Sequence, residues 1–81
     1  MADILRVIQD RGKARVTHIL YGANLSYDRL KKYLNELISR GLIQERIEEG
    51  ITYYSITKKG IDFLKEYERI RKLCEAFGIS I

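Results

Sequence analysis

Two helical patterns joined by a glycine turn occupy the middle of the chain, and they restrict its fold more than any other feature. Thr17 to Tyr21 places Ile19 and Leu20 on one side of a short helix, the turn Tyr21-Gly22-Ala23-Asn24 follows, and Ser26 to Arg40 repeats apolar residues at the helical period. A turn this short makes the second helix cross the first steeply. Gly22 is predicted to supply the positive φ of that turn. Ser26 is a good N-cap, Asp28 stands in the first turn where the helix dipole favours an acid, and Gly41 ends the helix. At about 100° per residue, Leu30, Tyr33, Leu34, Leu37 and Ile38 fall on the inward side. Asp28, Arg29, Lys31, Lys32, Asn35, Glu36 and Ser39 fall on the other. Asp28 with Lys32 and Glu36 with Arg40 are spaced for i,i+4 ion pairs, as on any solvated helix.

The flanks complete a small fold. Asp3 to Arg11 reads as a helix with Ile4, Leu5 and Ile8 on one face and Gly12 as its stop. Lys13 to Val16 fits a very short strand pairing with a hairpin further on. Ile43 to Ile47 and Thr52 to Ile56 each alternate, which sends Ile43, Ile47, Tyr54 and Ile56 inward and leaves Glu48-Glu49-Gly50 as the hairpin tip. Thr57 then caps a last helix reaching about Phe77, before Gly78. The expected fold class is α+β, mostly helical: a winged helix-turn-helix with a two-stranded wing and a long C-terminal helix. Residues 1–57 form the winged-helix unit, and residues 58–81 complete the core and project from it.

That last helix is too long for so small a body. Ile61 and Leu64 can close the core, whereas Phe63, Tyr67, Ile70, Cys74, Phe77 and Ile81 recur at steps of four and three, the spacing of a coiled-coil seam. The stripe either folds back onto its own domain or pairs with a copy of itself. Pairing is favoured, because the body has only two other full helices and is already closed by Ile61 and Leu64. A homodimer is expected.

At 81 residues, with 46% hydrophobic and 32% charged residues and no proline, the chain has the composition of one folded, helix-rich domain. No stretch approaches the ~20 apolar residues of a membrane span. Met1 to Arg11 reads as an amphipathic helix, not a leader, and Cys74 is the single cysteine, so a cytoplasmic location is expected.

Catalytic patterns are missing from the sequence. It has no glycine-rich phosphate loop, no Cys/His set at metal spacing and no Ser/His/Asp set, so an enzyme, a metal, a cofactor or a small-molecule ligand is not expected. His18 reads as structural or phosphate-contacting, and Cys74 as a small hydrophobe on the seam. The six tyrosines do not make a stacking platform for single strands, since Tyr33, Tyr54 and Tyr67 point inward.

Charge is distributed unevenly. Residues 1 to 44 hold eight Lys/Arg against four acids, and residues 45 to 81 hold seven of each, so the whole excess of +4 lies in the half with the helix-turn-helix. A phosphate-binding surface requires such a bias. On that surface Arg29 and Asn35 are candidates to read base edges, with Lys31, Lys32, Ser26, Tyr27 and Arg15 on the backbone. Arg46 and Tyr53 are the wing candidates, because acids at the tip repel phosphate.

The run Tyr21-Gly22-Ala23-Asn24-Leu25-Ser26-Tyr27, then Tyr33, Gly41-Leu42-Ile43, Tyr54 and Thr57-Lys58-Lys59-Gly60 opening a long helix, resembles the small archaeal winged-helix DNA-binding proteins, including the chromatin-associated type. The resemblance covers nearly the whole chain. It implies a homodimer through an antiparallel coiled coil of the C-terminal helices, presenting two recognition helices to double-stranded DNA. A regulator and an architectural protein both fit. A winged helix that binds another protein subunit is the alternative, and the acidic tip favours it.

Overall fold

The computed structural model describes residues 2–79. Its elements run α1 (Ala2–Arg11), α2 (Val16–Ala23), α3 (Tyr27–Ser39), β1 (Ile43–Glu48), β2 (Ile51–Ile56) and α4 (Lys58–Ala76). The apolar faces meet in one core. Ile4, Leu5 and Ile8 of α1, Ile19 of α2, and Leu30, Leu34 and Leu37 of α3 are buried together with Ala14, Leu42, Ile43, Tyr54 and Leu64. Burying one of the larger aliphatic side chains contributes roughly 1.5–3 kcal/mol, so this set holds the helices in place. Tyr33 and Ile38, at the edges of the α3 stripe, are half-buried.

The helix-to-helix turn is built differently from the sequence expectation. Gly22 lies inside α2 and does not carry the positive φ; the left-handed residue is Asn24, with φ 53°, which caps α2. Asparagine is among the few non-glycine residues that tolerate this region. What Gly22 provides is closeness, since a Cβ there would lie 2.5 Å from Val7 Cγ2 of α1.

β1 and β2 pair antiparallel, with Ile43 opposite Ile56 and Glu48 opposite Ile51. The loop is therefore only Glu49-Gly50, and both have positive φ, 50° and 77°, as the I′ type of tight hairpin requires. The short strand expected between Lys13 and Val16 shrinks to a single bridge. Ala14 and Tyr54 exchange two backbone hydrogen bonds of 2.8 Å, and α2 begins two residues later. Ile47 does not turn into the core as alternation suggested; it is 66% exposed. Alternation assigns the correct face, but the hairpin has by then run past the helices that could cover it.

Thr57 fixes the start of α4. Its Oγ1 accepts from the Gly60 N–H at 3.1 Å and its hydroxyl donates to the Gly41 carbonyl at 2.6 Å. Gly60 is buried against the Leu42 backbone, and a Cβ there would overlap the Leu42 carbonyl oxygen and come within 2.6 Å of Ile56 Cγ1. Leu64 enters the core as expected, while Ile61 is half-buried at its margin. Further along, Arg6 of α1 hydrogen-bonds to Glu68, pairs with Asp3 at 3.1 Å and lies 5.6 Å from the Tyr67 ring centroid. Beyond that clamp α4 leaves the body, which gives the molecule its 48 × 26 × 21 Å shape. Among the described residues no helix is long and apolar enough to cross a membrane. Ile81, placed on the seam from the sequence, lies outside the described residues.

Candidate nucleic-acid interface

Ser26 starts α3 by accepting a hydrogen bond from the Arg29 N–H at 3.4 Å. That cap turns the following side chains outward in a fixed order. Arg29, Lys31, Lys32 and Asn35 are all exposed, and Tyr27 is 53% exposed with Lys31 Nζ 5.9 Å from its ring centroid. Among the described residues none of these three cations forms an ion pair. The Asp28–Lys32 pair allowed by spacing is not made, whereas Arg40 is held by Glu36 at 3.1 Å. The outer face of α3 thus presents three positive charges outside any ion pair and one amide, with the exposed acid Asp28 in its first turn.

Arg15, at the N-cap of α2, is exposed. Its backbone N–H donates to His18 Nδ1 at 3.3 Å, so His18 works as a helix-start acceptor. This is the structural one of the two roles its sequence context allowed.

The wing residues are placed apart from α3. Ile43 and Tyr54 point into the core, so the period of two puts Arg46 and Tyr53, which are register partners, on the opposite face of the hairpin. There they join Lys13, whose Nζ is 2.6 Å from Glu48 Oε2 and 4.5 Å from the Tyr53 ring centroid. Hydrogen bonding to Lys13, reinforced by its charge, holds the Glu48 carboxyl below the usual carboxylate range, and the same pairing raises Lys13. One of the two wing acids is therefore neutralised within the chain. Periodicity does not find Lys13, because its partner is 35 residues away and only the Ala14 bridge brings the two together. On the core side, burial and then the charge and hydrogen bonding of Glu45 push the Tyr54 hydroxyl up.

Along α4 the seam residues are open to solvent to different degrees. Phe63 is 40%, Ile70 52% and Phe77 75% exposed, while Tyr67 and Cys74 are half-buried. Phe63 and Tyr67 stack at 6.4 Å between ring centroids. Leu73 and Ile79, 59% and 56% exposed, broaden the stripe. The strict four-three spacing passes over Leu73 because Cys74 satisfies it.

A family model for winged helix-turn-helix proteins matches residues 1–75. No curated protein sequence matches the chain. Among solved structures, Sso10a-2, a DNA-binding protein from Sulfolobus solfataricus, superposes with a TM-score of 0.83 at 32% identity, covering 94% of this chain and 78% of that one. BpsR of Bordetella bronchiseptica, whose DNA binding is regulated by 6-hydroxynicotinic acid, superposes with a TM-score of 0.76 at 14% identity, covering 80% of this chain and 48% of that one. The second likeness is one of fold alone.

Proposed function

We propose that this chain, which belongs to the winged helix-turn-helix family, binds double-stranded DNA as a homodimer with α3 in the major groove. The observation that carries the reading is the outer face of α3, where Arg29, Lys31 and Lys32 stand exposed without internal counter-ions beside Asn35. Among the described residues ion pairing takes Arg6, Lys13, Arg40, Arg69 and Arg71, none of them on the outer face of α3. It leaves the cations a phosphate backbone needs. The likeness to an archaeal DNA-binding protein at 32% identity supports the same conclusion.

In this reading Lys31, Lys32, Tyr27, Ser26 and Arg15 fix the domain on the backbone, and Arg29 and Asn35 reach base edges, arginine suiting guanine and asparagine suiting adenine. Arg46 and Tyr53, on the far face of the hairpin, are secondary contacts reached only by DNA that follows the wing. Residues 58–81 supply the second half of the function, α4 pairing through Phe63, Tyr67, Ile70, Cys74 and Phe77 to set two copies of α3 on one duplex. Work on the nucleoid, as a regulator or as an architectural protein, follows from that arrangement.

Glu49, free at the wing tip, favours a second reading, in which the domain docks on another protein and α3 is solvated. Selection from a random-sequence duplex library at two salt concentrations separates the three. Enrichment of a site that tightens as salt falls marks a regulator, salt-dependent binding without enrichment marks an architectural protein, and no retention at low salt rejects DNA as the partner.

A further inference from the structure

The face of α4 turned away from its apolar stripe carries a row of lysines. Lys58, Lys65 and Lys72 are seven residues apart, so they follow one line along the helix with about 10.5 Å between neighbours. All three are exposed, and among the described residues none forms an ion pair. Acids stand at helical spacing from them but are used elsewhere or turned aside. Glu68 and Glu75, four residues before Lys72 and three after it, are taken by Arg6 and Arg71. Asp62, three residues before Lys65, is exposed and makes no ion pair.

Beside Lys65 and Lys72 the helix meets α1 across a groove of about 410 Å³. Ile61 and Leu64 line its floor, Gln9 of α1 stands on one wall, and Lys65, Arg69 and Lys72 form the opposite edge. Glu68 lines it too, but its carboxylate is occupied, bonded to Arg6 and 3.6 Å from Arg71. Arg69 is only loosely engaged, 3.7 Å from Glu66. The groove is thus apolar beneath and positive along one edge. At about 100° per residue that edge is roughly opposite Phe63, Tyr67, Ile70 and Phe77, and Phe63 borders the end of α3. The groove therefore lies on the far side of α4 from both α3 and the stripe.

We propose that this groove receives an acidic amphipathic helix of another protein, at a surface separate from the one assigned to DNA. A helix seated in a groove needs an apolar floor under its inward face and opposite charge at the edge. A partner with glutamate or aspartate at positions i and i+7 repeats the roughly 10.5 Å spacing of Lys65 and Lys72, and apolar residues between those acids cover Ile61. A duplex is a poorer occupant. It is far wider than the groove, so it touches only the outer edge, where Asp62 and Glu66 stand among the cations, and the apolar floor gives phosphate nothing. An acidic helix lying between the lysine row and α1 stays clear of both acids. Its contacts are few and partly solvated, which makes the complex a transient, salt-sensitive one. Because α3 faces elsewhere, one chain holds DNA and the acidic partner at the same time.

The test uses the full chain, labelled with nitrogen-15, and a synthetic acidic helix of about four turns with leucines on one face and glutamates flanking them. Peptide should shift the amides of Gln9 and of residues 61–72, less so as salt rises. A scrambled peptide of the same composition should not. Lys65→Glu with Lys72→Glu, at exposed positions outside any ion pair, should weaken peptide binding at least roughly tenfold with an unchanged circular dichroism spectrum, and the peptide with lysines in place of its glutamates should bind this variant better than it binds wild type. Duplex binding by the variant should keep the wild-type salt slope. The proposal is overturned by an absence of shifts at about 1 mM peptide, by shifts confined to α3 or to the stripe from Phe63 to Phe77, or by equal binding of the scrambled peptide, which would reduce the effect to net charge. A duplex that moves the amides of residues 61–72, or a salt slope that falls in the double variant, gives the lysine row to nucleic acid and overturns it as well.

Discussion

Lys32→Ala is the most informative single change, because the structure fixes what it removes. Lys32 is exposed on the outer face of α3 and has no acidic partner among the described residues, so its loss leaves no orphaned acid and no cavity. Each phosphate neutralised by a side chain contributes about 0.9 to the slope of log affinity against log salt. If Arg15, Lys31 and Lys32 of both protomers contact phosphates, the wild-type slope is about −5.4, and affinity falls roughly 1,800-fold between 50 and 200 mM salt. Removing Lys32 from both copies brings the slope to about −3.6 and the fall to roughly 150-fold. Lys72→Ala is the control. It changes net charge by the same amount from an exposed site on α4, away from α3, so a difference between the variants separates a contact from the general field. Fluorescence anisotropy with a labelled duplex at several potassium chloride concentrations measures both slopes. Equal slopes for Lys32→Ala and Lys72→Ala would refute the assignment of α3 to the DNA, and a change near 0.9 in place of 1.8 would show one copy per site.

Ile70→Glu places a charge at the middle of the proposed seam, a change worth several kcal/mol in a dry interface, and sedimentation should show monomers where wild type is dimeric; a dimer that survives moves the interface elsewhere. Gly60→Ala drives a methyl into the Leu42 carbonyl, which cannot rotate away, so a loss of about 2 kcal/mol and a drop of roughly 8–16 °C in Tm are expected. Gly22→Ala meets only the Val7 side chain and gains about 1 kcal/mol of helix propensity, so its melting curve should shift much less. Lys13→Ala should raise the Glu48 carboxyl titration, followed by NMR, back toward the usual range. Since Glu48 is depressed and Lys13 raised, the link they make is intact near neutral pH. It is lost as pH falls through the lowered Glu48 value or rises through the raised Lys13 value.

Local patterns determined the elements of this protein. The stripe Leu30, Leu34, Leu37 and the caps Ser26 and Thr57 act over three or four residues, so the helices, their buried faces and the basic outer face of α3 follow from the sequence alone. The four-three spacing likewise marked Phe63, Ile70 and Phe77, which the structure leaves exposed. Tertiary structure decided whatever depends on one element meeting another. Gly22 reads as a turn residue because glycine permits positive φ, yet the approach of Val7 from α1 requires its missing side chain, and Asn24 makes the turn. Ile47 alternates correctly and is still exposed, since alternation carries no information about whether anything lies beneath a strand. The acidic wing looked hostile to phosphate until a bridge at Ala14 brought Lys13 onto Glu48. Electrostatic character belongs to the assembled surface, and a charge can be assigned to a partner only once the fold has used up the pairs it makes for itself.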